Sequence, residues 1–371
     1  MKPFLLLLAS AIALGIYAQA AVDQDALRAE LDAAYEAFEE AALVPNKELA
    51  EQLARTTLRL GEQLFGPNHP NTAKGTYNLA YAMRPDYWME VSPAGLALAE
   101  LAIKKHEVAF GADSEETLPA IILAIQFLAY RVNAVPFGKR REDPQLLALI
   151  ERAQAIGKAS DNAATLPTLY GQLSKLGTAV GNSKQLAADA VRLFTEAYGP
   201  RDPRTLIARM DAEIFLKGRT LSFQAYAYER ILDDAKDVEE FDDYRFALHR
   251  TLALWYLRLA DNSKATEHLQ AAGRLNTTAS NSEYRPLYTI PPVYPRKASL
   301  RGIQGYVLLE FTVTRKGTVH SVKVIESDPP GWFDRASMKA AQQFRYLPKY
   351  VDGEPIEVQG LSRRIQFELI D

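Results

Sequence analysis

The chain has 371 residues, enough for two or three domains, and its 48% hydrophobic and 24% charged residues are typical of globular proteins. A net charge of −3 gives no sign of a nucleic-acid binder. The absence of cysteine excludes a disulfide framework, a thiol nucleophile, cysteine-ligated iron–sulfur clusters and a lipid-modified cysteine anchor.

Charge is unevenly distributed along the chain. From Arg285 to Asp371 there are 13 Lys and Arg residues against 9 Asp and Glu, a net of +4, which leaves −7 for the remainder. An acidic body with a basic C-terminal part suggests two parts with different roles. Ordinary scatter in the charge of a small domain is an equally good explanation.

The N-terminus has the layout of a secretory signal peptide. Lys2 supplies a positive charge, the run from Phe4 to Tyr17 is apolar, and small residues before Ala21 form a cleavage site. The apolar run is short for a membrane-spanning helix, which needs about 20 residues. The sequence predicts a signal peptide over residues 1–20; the alternative is an uncleaved membrane anchor.

Residues 21–275 form a region in which apolar residues recur at helical spacing, which predicts an all-α fold. Similar segments recur along it, with a degenerate copy around Gly157, at a period of about 42–46 residues. The three clear copies are "FGPNHPNTAKGTYNLAY" from Phe65, "FGADSEETLPAIILAI" from Phe110 and "YGPRDPRTLIARMDAEI" from Tyr198.

Each copy has the residues expected at a junction between two helices. A Gly just past a helix adopts the left-handed conformation without a Cβ clash, and the polar residues that follow can cap the next helix. Because neither helix of a pair buries its apolar stripe alone, neighbouring pairs must stack into an array. A last helix pair is predicted from about Glu240 to Leu275.

These turns resemble those of tetratricopeptide (TPR) repeats of the longer variety, which have a G-P-x-H-P-x-T turn. The best match comprises Gly66, Pro67, His69, Pro70 and Thr72. The resemblance implies a TPR-like helical array with a concave surface for a peptide or protein partner that the sequence does not identify. An array that serves only as a spacer is the alternative.

The remainder of the chain is predicted to be a linker and a small α+β domain. Asn276 to Ser282 is small and polar, so residues 276–289 are predicted to be a linker. Residues 290–371 are predicted to form a three-stranded antiparallel sheet with two helices. The predicted elements are a helix from Pro295 to Leu300, strands over 306–314 and 319–326, a helix capped by Asp334, and a strand over 362–368.

This C-terminal unit resembles the C-terminal domain of TonB-family energy transducers. The matching motif residues are Tyr294, Pro295, Gly302, Gly305, Phe333 and Asp334. In the family, the domain binds an extended segment of an outer-membrane transporter as an additional strand at an open sheet edge. The resemblance therefore implies that the last strand is the partner-binding edge, with the candidate residues Ser362, Arg363, Arg364, Ile365, Gln366 and Phe367.

Two roles are open for the arginines of this strand. Arg363 and Arg364 could meet acidic groups of a ligand, or they could keep the exposed edge soluble and prevent self-pairing.

The resemblances together predict a periplasmic TonB-like protein, which binds partner proteins through its array and an outer-membrane TonB-dependent transporter through its C-terminal sheet. The alternative is a transducer anchored in the inner membrane, facing the periplasm and driving outer-membrane transport. The short N-terminal apolar run and the lack of a Pro-rich tract before Ile290 favour the first prediction.

No catalytic constellation is visible, so we expect a protein that is not an enzyme and has no cofactor, metal site or small-molecule substrate. The five histidines lack metal-ligand spacing, no serine lies in a nucleophile elbow, and no Gly-rich phosphate loop follows a strand. His249 and His268 are interpreted as a fortuitous surface pair on different helices.

Overall fold

The computed structural model describes residues 24–43, 46–84, 91–215, 220–275 and 284–369. The predicted signal peptide and residues 276–283 of the predicted linker lie outside these ranges. The chain divides into two compact units, residues 1–197 and 198–371. This division falls within the helical region, and the domain boundaries predicted at 275 and 290 stay predictions.

The described part of the first unit is helical. Proline occupies the first or second position of four of its helices, where the missing N–H needs no intrahelical partner. The helices are α1 over 24–43, α2 Lys47–Phe65, α3 Pro70–Ala82, α4 Pro93–Phe110, α5 Leu118–Ala134, α6 Pro144–Ala159, α7 Thr165–Ser174 and α8 Ser183–Tyr198.

The second unit begins with helices and includes the pair predicted near residues 240–275. Its helices before the C-terminal domain are α9 Pro203–Phe215, α10 Leu221–Ala235, α11 Asp242–Arg258 and α12 Asn262–Leu275. Leu206, Phe241 and Leu252 lie in their shared core and are fully buried.

The three clear repeat turns have the same hydrogen-bonded geometry. Each glycine has a positive φ, between 86° and 101°, and each threonine is fully buried. The threonine Oγ1 donates to the carbonyl oxygen of the glycine six residues earlier: Thr72 to Gly66 at 2.7 Å, Thr117 to Gly111 at 2.9 Å and Thr205 to Gly199 at 2.8 Å. The sequence repeat is thus a repeat of local structure.

The degenerate copy departs from this geometry. Gly157 lies inside α6 and not beyond its end, so it does not act as a C-terminal helix cap. Its missing side chain instead permits close packing, since a Cβ there would lie 3.2 Å from Leu166 Cδ1. Thr165 donates to Glu115 Oε2 at 2.8 Å and not to the glycine.

Among the residues that the structure describes, one helical stretch, Glu115–Ala134, is long and apolar enough to cross a membrane. Of its apolar window, 61% is buried inside the protein. Within it, Ile121, Phe127 and Leu128 are fully buried in the core of the first unit. The apolar composition of this stretch is therefore explained by its central position among the helices.

The C-terminal part contains the predicted three-stranded antiparallel sheet and two helices. The strand order is β2-β1-β5, so β5 lies at an edge. The elements are α13 Arg296–Ser299, β1 Gly305–Val313, β2 Val319–Asp328, α14 Asp334–Ala341, β3 Lys349–Val351, β4 Glu354–Ile356 and β5 Val358–Phe367.

Alternation along β1 accounts for the core of this sheet. Val307, Leu309, Phe311 and Val313 point to one face, as predicted, and are at most 2% exposed. They share a core with Phe344 and with the buried alanines of α14. One face of the sheet is thus covered by the domain's own helix.

The β3–β4 hairpin was not predicted. Its two strands have three residues each and form a separate sheet, too short for an alternation pattern to be visible. Only its turn was predicted: Asp352 and Gly353 have φ values of 51° and 81°, the pair of positive φ angles required by a tight type I′ hairpin turn.

The C-terminal domain makes contacts that begin before its predicted first residue. The backbone N–H groups of Leu287 and Tyr288 donate to the Arg345 carbonyl oxygen at 2.8 and 3.1 Å. The Tyr284 hydroxyl donates to the Leu347 carbonyl oxygen. Residues 284–288, which were predicted to be linker, are therefore held against the domain.

Candidate functional site

The two edge strands of the C-terminal sheet differ in regularity. The β1–β5 register is unbroken over seven pairs, from Gly305 opposite Phe367 to Phe311 opposite Leu361. Alternate residues of an edge strand direct their N–H and C=O groups away from the sheet. β5 therefore presents a straight row of backbone groups over residues 361–367.

The β2 edge is irregular. Its register against β1 shifts between Leu308 and Leu309 and again between Glu310 and Thr312. Ser321, within the second irregularity, has a φ of 53°. Bulges of this kind twist an edge and prevent another strand from pairing along it. Of the two edges, β5 is the one suited to strand addition.

All six residues predicted to form the binding edge lie in β5. Ile365 and Phe367 point into the core, at 8% and 2% exposure, whereas Ser362, Arg364 and Gln366 are exposed on the opposite face. Arg363 is half-buried on the core side. The backbone of these residues forms the free edge, and their role in binding a partner stays a prediction.

Two predicted motif residues, Tyr294 and Phe333, contribute to the core beneath the edge. The Tyr294 ring meets Phe333 and Phe367 edge-on, each with 5.6 Å between ring centroids. Its hydroxyl donates to the Ile303 carbonyl oxygen at 2.7 Å. Pro295 is the N-cap residue of α13. These residues position β5 and do not lie on the free edge.

The two motif glycines have backbone roles. Gly302, at φ 65°, ends the turn that follows α13. At Gly305 a Cβ would lie 1.9 Å from the Asp328 carbonyl oxygen. Any side chain there would separate the start of β1 from the end of β2.

The sixth motif residue is not the predicted helix cap. Phe333 occupies the N-cap position of α14, and Asp334 is the first helical residue, where its carboxylate cannot accept a capping hydrogen bond as an N-cap side chain does. Asp334 Oδ1 is buried without a hydrogen-bond partner among the described residues. Its negative charge still lies in the first turn, where the helix dipole favours it.

A family model supports what the fold and the motif residues indicate. The model for the C-terminal part of the Gram-negative bacterial TonB protein matches residues 290–369. Residues 290–369 are a TonB C-terminal domain. TonB proteins are not enzymes, so the match supports the prediction of a non-enzymatic protein.

Two curated relatives match a stretch of about the length of the TonB domain. The TonB protein of Pseudomonas aeruginosa is 38% identical over 89 residues, which are 24% of this chain and 26% of that protein. The TonB protein of Vibrio cholerae is 30% identical over 67 residues, 18% of this chain and 28% of that protein. The chain thus spans about a quarter of the length of the curated relatives that it matches.

A solved structure also matches the TonB domain by sequence. The solution NMR structure of the Pseudomonas aeruginosa TonB CTD is 35% identical, with coverage of 24% of this chain and 92% of that chain. The TM-score is 0.22, so the identification depends on the sequence match and not on this superposition.

The arginines of the TonB domain's edge strand fold back onto aromatic rings. The Arg364 guanidinium carbon lies 3.7 Å from the centre of the Tyr306 ring, on β1. The Tyr306 hydroxyl donates to Glu326 on β2, and this hydrogen bond raises the tyrosine pKa. Arg363 lies 5.7 Å from the Phe344 ring centre on the other face. Both cations are thereby directed away from the free backbone edge.

The first unit contains an open groove of about 740 Å³ on its helical surface. The groove is lined by α3, α5 and α7, which are alternate helices of the first unit. Its lining combines tyrosine rings with amide and hydroxyl groups, including Tyr77, Tyr130, Gln126, Thr168 and Gln172. Such a surface offers both apolar contact and hydrogen bonds to an extended peptide.

The structure brings together two histidines that sequence reasoning treated as a surface pair. His249 Nδ1 and His268 Nδ1 are 2.9 Å apart, and His268 is buried. Burial, first, and the charges of His268 and Arg245 lower the pKa of His249 to about 4. His249 lies on α11 and His268 on the facing helix α12. The register expected of an antiparallel helix pair could therefore have predicted that the two side chains meet.

The histidine pair belongs to a polar cluster centred on Glu229. Glu229 faces the outer nitrogen of His268 at 3.7 Å and also accepts hydrogen bonds from Tyr256 and Lys264 at 2.7 and 2.9 Å. In the described ranges, no group of three or more His, Asp or Glu side chains is arranged to hold a metal ion. The cluster joins α10, α11 and α12.

Proposed function

We propose that the protein is a periplasmic TonB-like binding protein. Its TonB domain binds an extended segment of an outer-membrane TonB-dependent transporter as a fourth strand beside β5, and its TPR-like helical array binds a second protein. Neither nucleic acid nor a small-molecule substrate is part of this proposal. The observation that carries it is the unbroken seven-residue edge of β5.

Strand addition at β5 has a simple physical basis. Main-chain hydrogen bonds to the free edge supply affinity, and side chains on alternate faces supply selectivity. Next to an added strand, Arg364 and Gln366 would lie on the solvent-facing side and Arg363 on the core side. In the free protein both guanidinium groups lie against aromatic rings, so an acidic residue of the added segment would have to draw Arg363 or Arg364 away from its ring and toward the edge.

The proposed second partner binds in the groove of the first unit. Support comes from the Gly–Thr turn, which recurs between successive helices, and from the groove's position on alternate helices. This arrangement is the one expected of the concave face of a TPR-like array. The second partner is therefore an extended polypeptide segment.

Photo-crosslinking tests the edge directly. A photoreactive amino acid would replace Arg364 or Gln366 on β5, with Lys323 or Ile325 on the bulged β2 edge as matched controls. We expect the β5 positions, and not the β2 positions, to form adducts with an outer-membrane transporter in envelope fractions. Equal adducts from both edges, or adducts from β2 alone, would refute strand addition at β5.

The alternative is a membrane-anchored TonB energy transducer that drives outer-membrane transport. The two functions differ at the N-terminus. Mass spectrometry of the mature protein decides between them: a chain that starts at Ala21 is a released periplasmic protein, whereas a retained N-terminal segment supports the anchored transducer.

A further inference from the structure

Gly273 in α12 is a helical glycine that does not end its helix. Glycine inside a helix is less favourable than alanine by about 1 kcal/mol, so its presence calls for a local reason. Gly273 is buried, and a Cβ there would lie 2.7 Å from the Pro348 carbonyl oxygen and 2.9 Å from Tyr350 Cε2. The backbone of α12 is therefore in direct contact with the start of the β3–β4 hairpin.

Tyr350 adds a directional contact to this close approach. Its hydroxyl donates to the Gln270 carbonyl oxygen at 3.2 Å, one turn before Gly273. The tyrosine ring lies over the glycine while its hydroxyl reaches the helix backbone. The close packing at Gly273 and the Tyr350 hydrogen bond therefore both favour the same position of the hairpin along α12.

The same segment is also in contact with the residues that precede the TonB domain. Tyr284 stacks on Tyr346 with 5.2 Å between ring centroids and donates to the Leu347 carbonyl oxygen. Residues 345–350 therefore contact both α12 and the lead-in segment at 284–288. The chain leaves α12 at Leu275 and returns to the same short segment nine residues later.

This contact also positions the edge strand. β4 ends at Ile356 and β5 begins at Val358, so a single residue separates the hairpin from β5. The hairpin belongs to neither edge of the main sheet, and strand addition does not require it. Its described contacts with α12 give it a different role.

We propose that the β3–β4 hairpin is a docking element that seats the TonB domain on α12, with Gly273 as the receiving position. The β5 edge is then held in a fixed position relative to the helices α9–α12. This proposal concerns the chain's own two parts and does not depend on the identity of any partner at β5.

Because the chain has no cysteine, introduced cysteines can be crosslinked specifically to test the docking. In the full chain, Gln270→Cys and Val351→Cys would be the only thiols, and a short bismaleimide should join them within one molecule. We expect the crosslink yield to fall at least ten-fold when Gly273→Leu is added. Gly171→Leu is the matched control, because a Cβ at this helical glycine meets nothing within 4 Å.

Hydrogen exchange of the β1 amides shows whether the TonB domain remains folded in each variant. Loss of the crosslink with β1 protection retained confirms undocking; equal yields in the Gly273→Leu and Gly171→Leu proteins overturn the proposal. If Gly273→Leu abolishes β1 protection, Tyr350→Ala replaces it. That variant removes the ring and hydroxyl from the interface, and an undiminished crosslink would again refute docking.

Discussion

Phe333 and Phe367 stack with 4.2 Å between ring centroids and 20° between ring planes. Phe333 is the N-cap residue of α14 and Phe367 is the last residue of β5. The contact therefore joins the edge strand to the helix beneath the sheet, and Tyr294 closes the cluster edge-on.

We expect Phe367→Ala to destabilise the TonB domain by about 3–5 kcal/mol, because it leaves a cavity between two buried rings. The free energy of unfolding is measured from native-state hydrogen exchange of the β1 amides in the full chain. Gln366→Ala, at the exposed neighbouring position, should change that free energy by less than about 0.5 kcal/mol. Equal effects of the two substitutions would show that the aromatic cluster does not hold β5.

Gly305→Ala should destabilise the same domain, because its Cβ would overlap the Asp328 carbonyl oxygen. We expect a loss of about 1–3 kcal/mol from the backbone shift that relieves the overlap. Urea denaturation measures it. Gly171→Ala, in an open helical position, should be neutral or stabilising by up to about 1 kcal/mol. A Gly305→Ala protein as stable as the parent would contradict the close approach of β1 and β2.

The repeat turns can be tested by isosteric substitution of their threonines. Thr72→Val and Thr205→Val each replace a buried hydroxyl that donates to a glycine carbonyl, so each should reduce stability by about 1–2 kcal/mol. Thermal unfolding of the full chain is the measurement. Thr56→Val, whose hydroxyl is exposed on α2, should change stability by less than about 0.5 kcal/mol. A similar small effect at Thr72 would mean that its turn is not held by this hydrogen bond.

Stability should fall as the pH is lowered from about 6.5 to about 4, in part because of His249. Burial lowers its pKa in the folded protein to about 4, whereas an unfolded histidine titrates near 6.5. Between these values the unfolded chain binds the additional proton, so the histidine's contribution is complete above about pH 6.5 and is lost on acidification. After allowance for its partial exposure, the loss is on the order of 2 kcal/mol.

Urea denaturation of the parent and of His249→Leu at pH 7, 5.5 and 4.5 measures this dependence. The variant should lose less stability on acidification than the parent. Part of the slope should remain, because burial also lowers the pKa of His268. An identical slope in both proteins would exclude His249 as a source of the pH dependence.

Local patterns predicted several elements correctly because their causes lie within a few residues. The alternation of Val307, Leu309 and Phe311 predicts one buried face of β1. The glycine–threonine spacing predicts three turns, and each of them contains the same type of threonine-to-glycine hydrogen bond. The motif residues of the C-terminal unit also predict the TonB domain, which the family match over residues 290–369 confirms. Each of these features depends on local backbone geometry or on the spacing of apolar residues within a single helix or strand.

Other features depend on residues far apart in the chain. The alternation of residues in β5 does not show that β1 lies between β2 and β5. It also does not show that bulges interrupt the β2 edge and leave the β5 edge regular. No local pattern places Gly273 under Tyr350 or His249 beside His268. The sequence by itself determined the order of the two helices and three long strands of the TonB domain and the apolar face of β1, but not the short β3–β4 hairpin. Tertiary packing decided which edge remains free and which helix supports the hairpin, because pairing partners are selected by contacts between segments that local periodicity cannot relate.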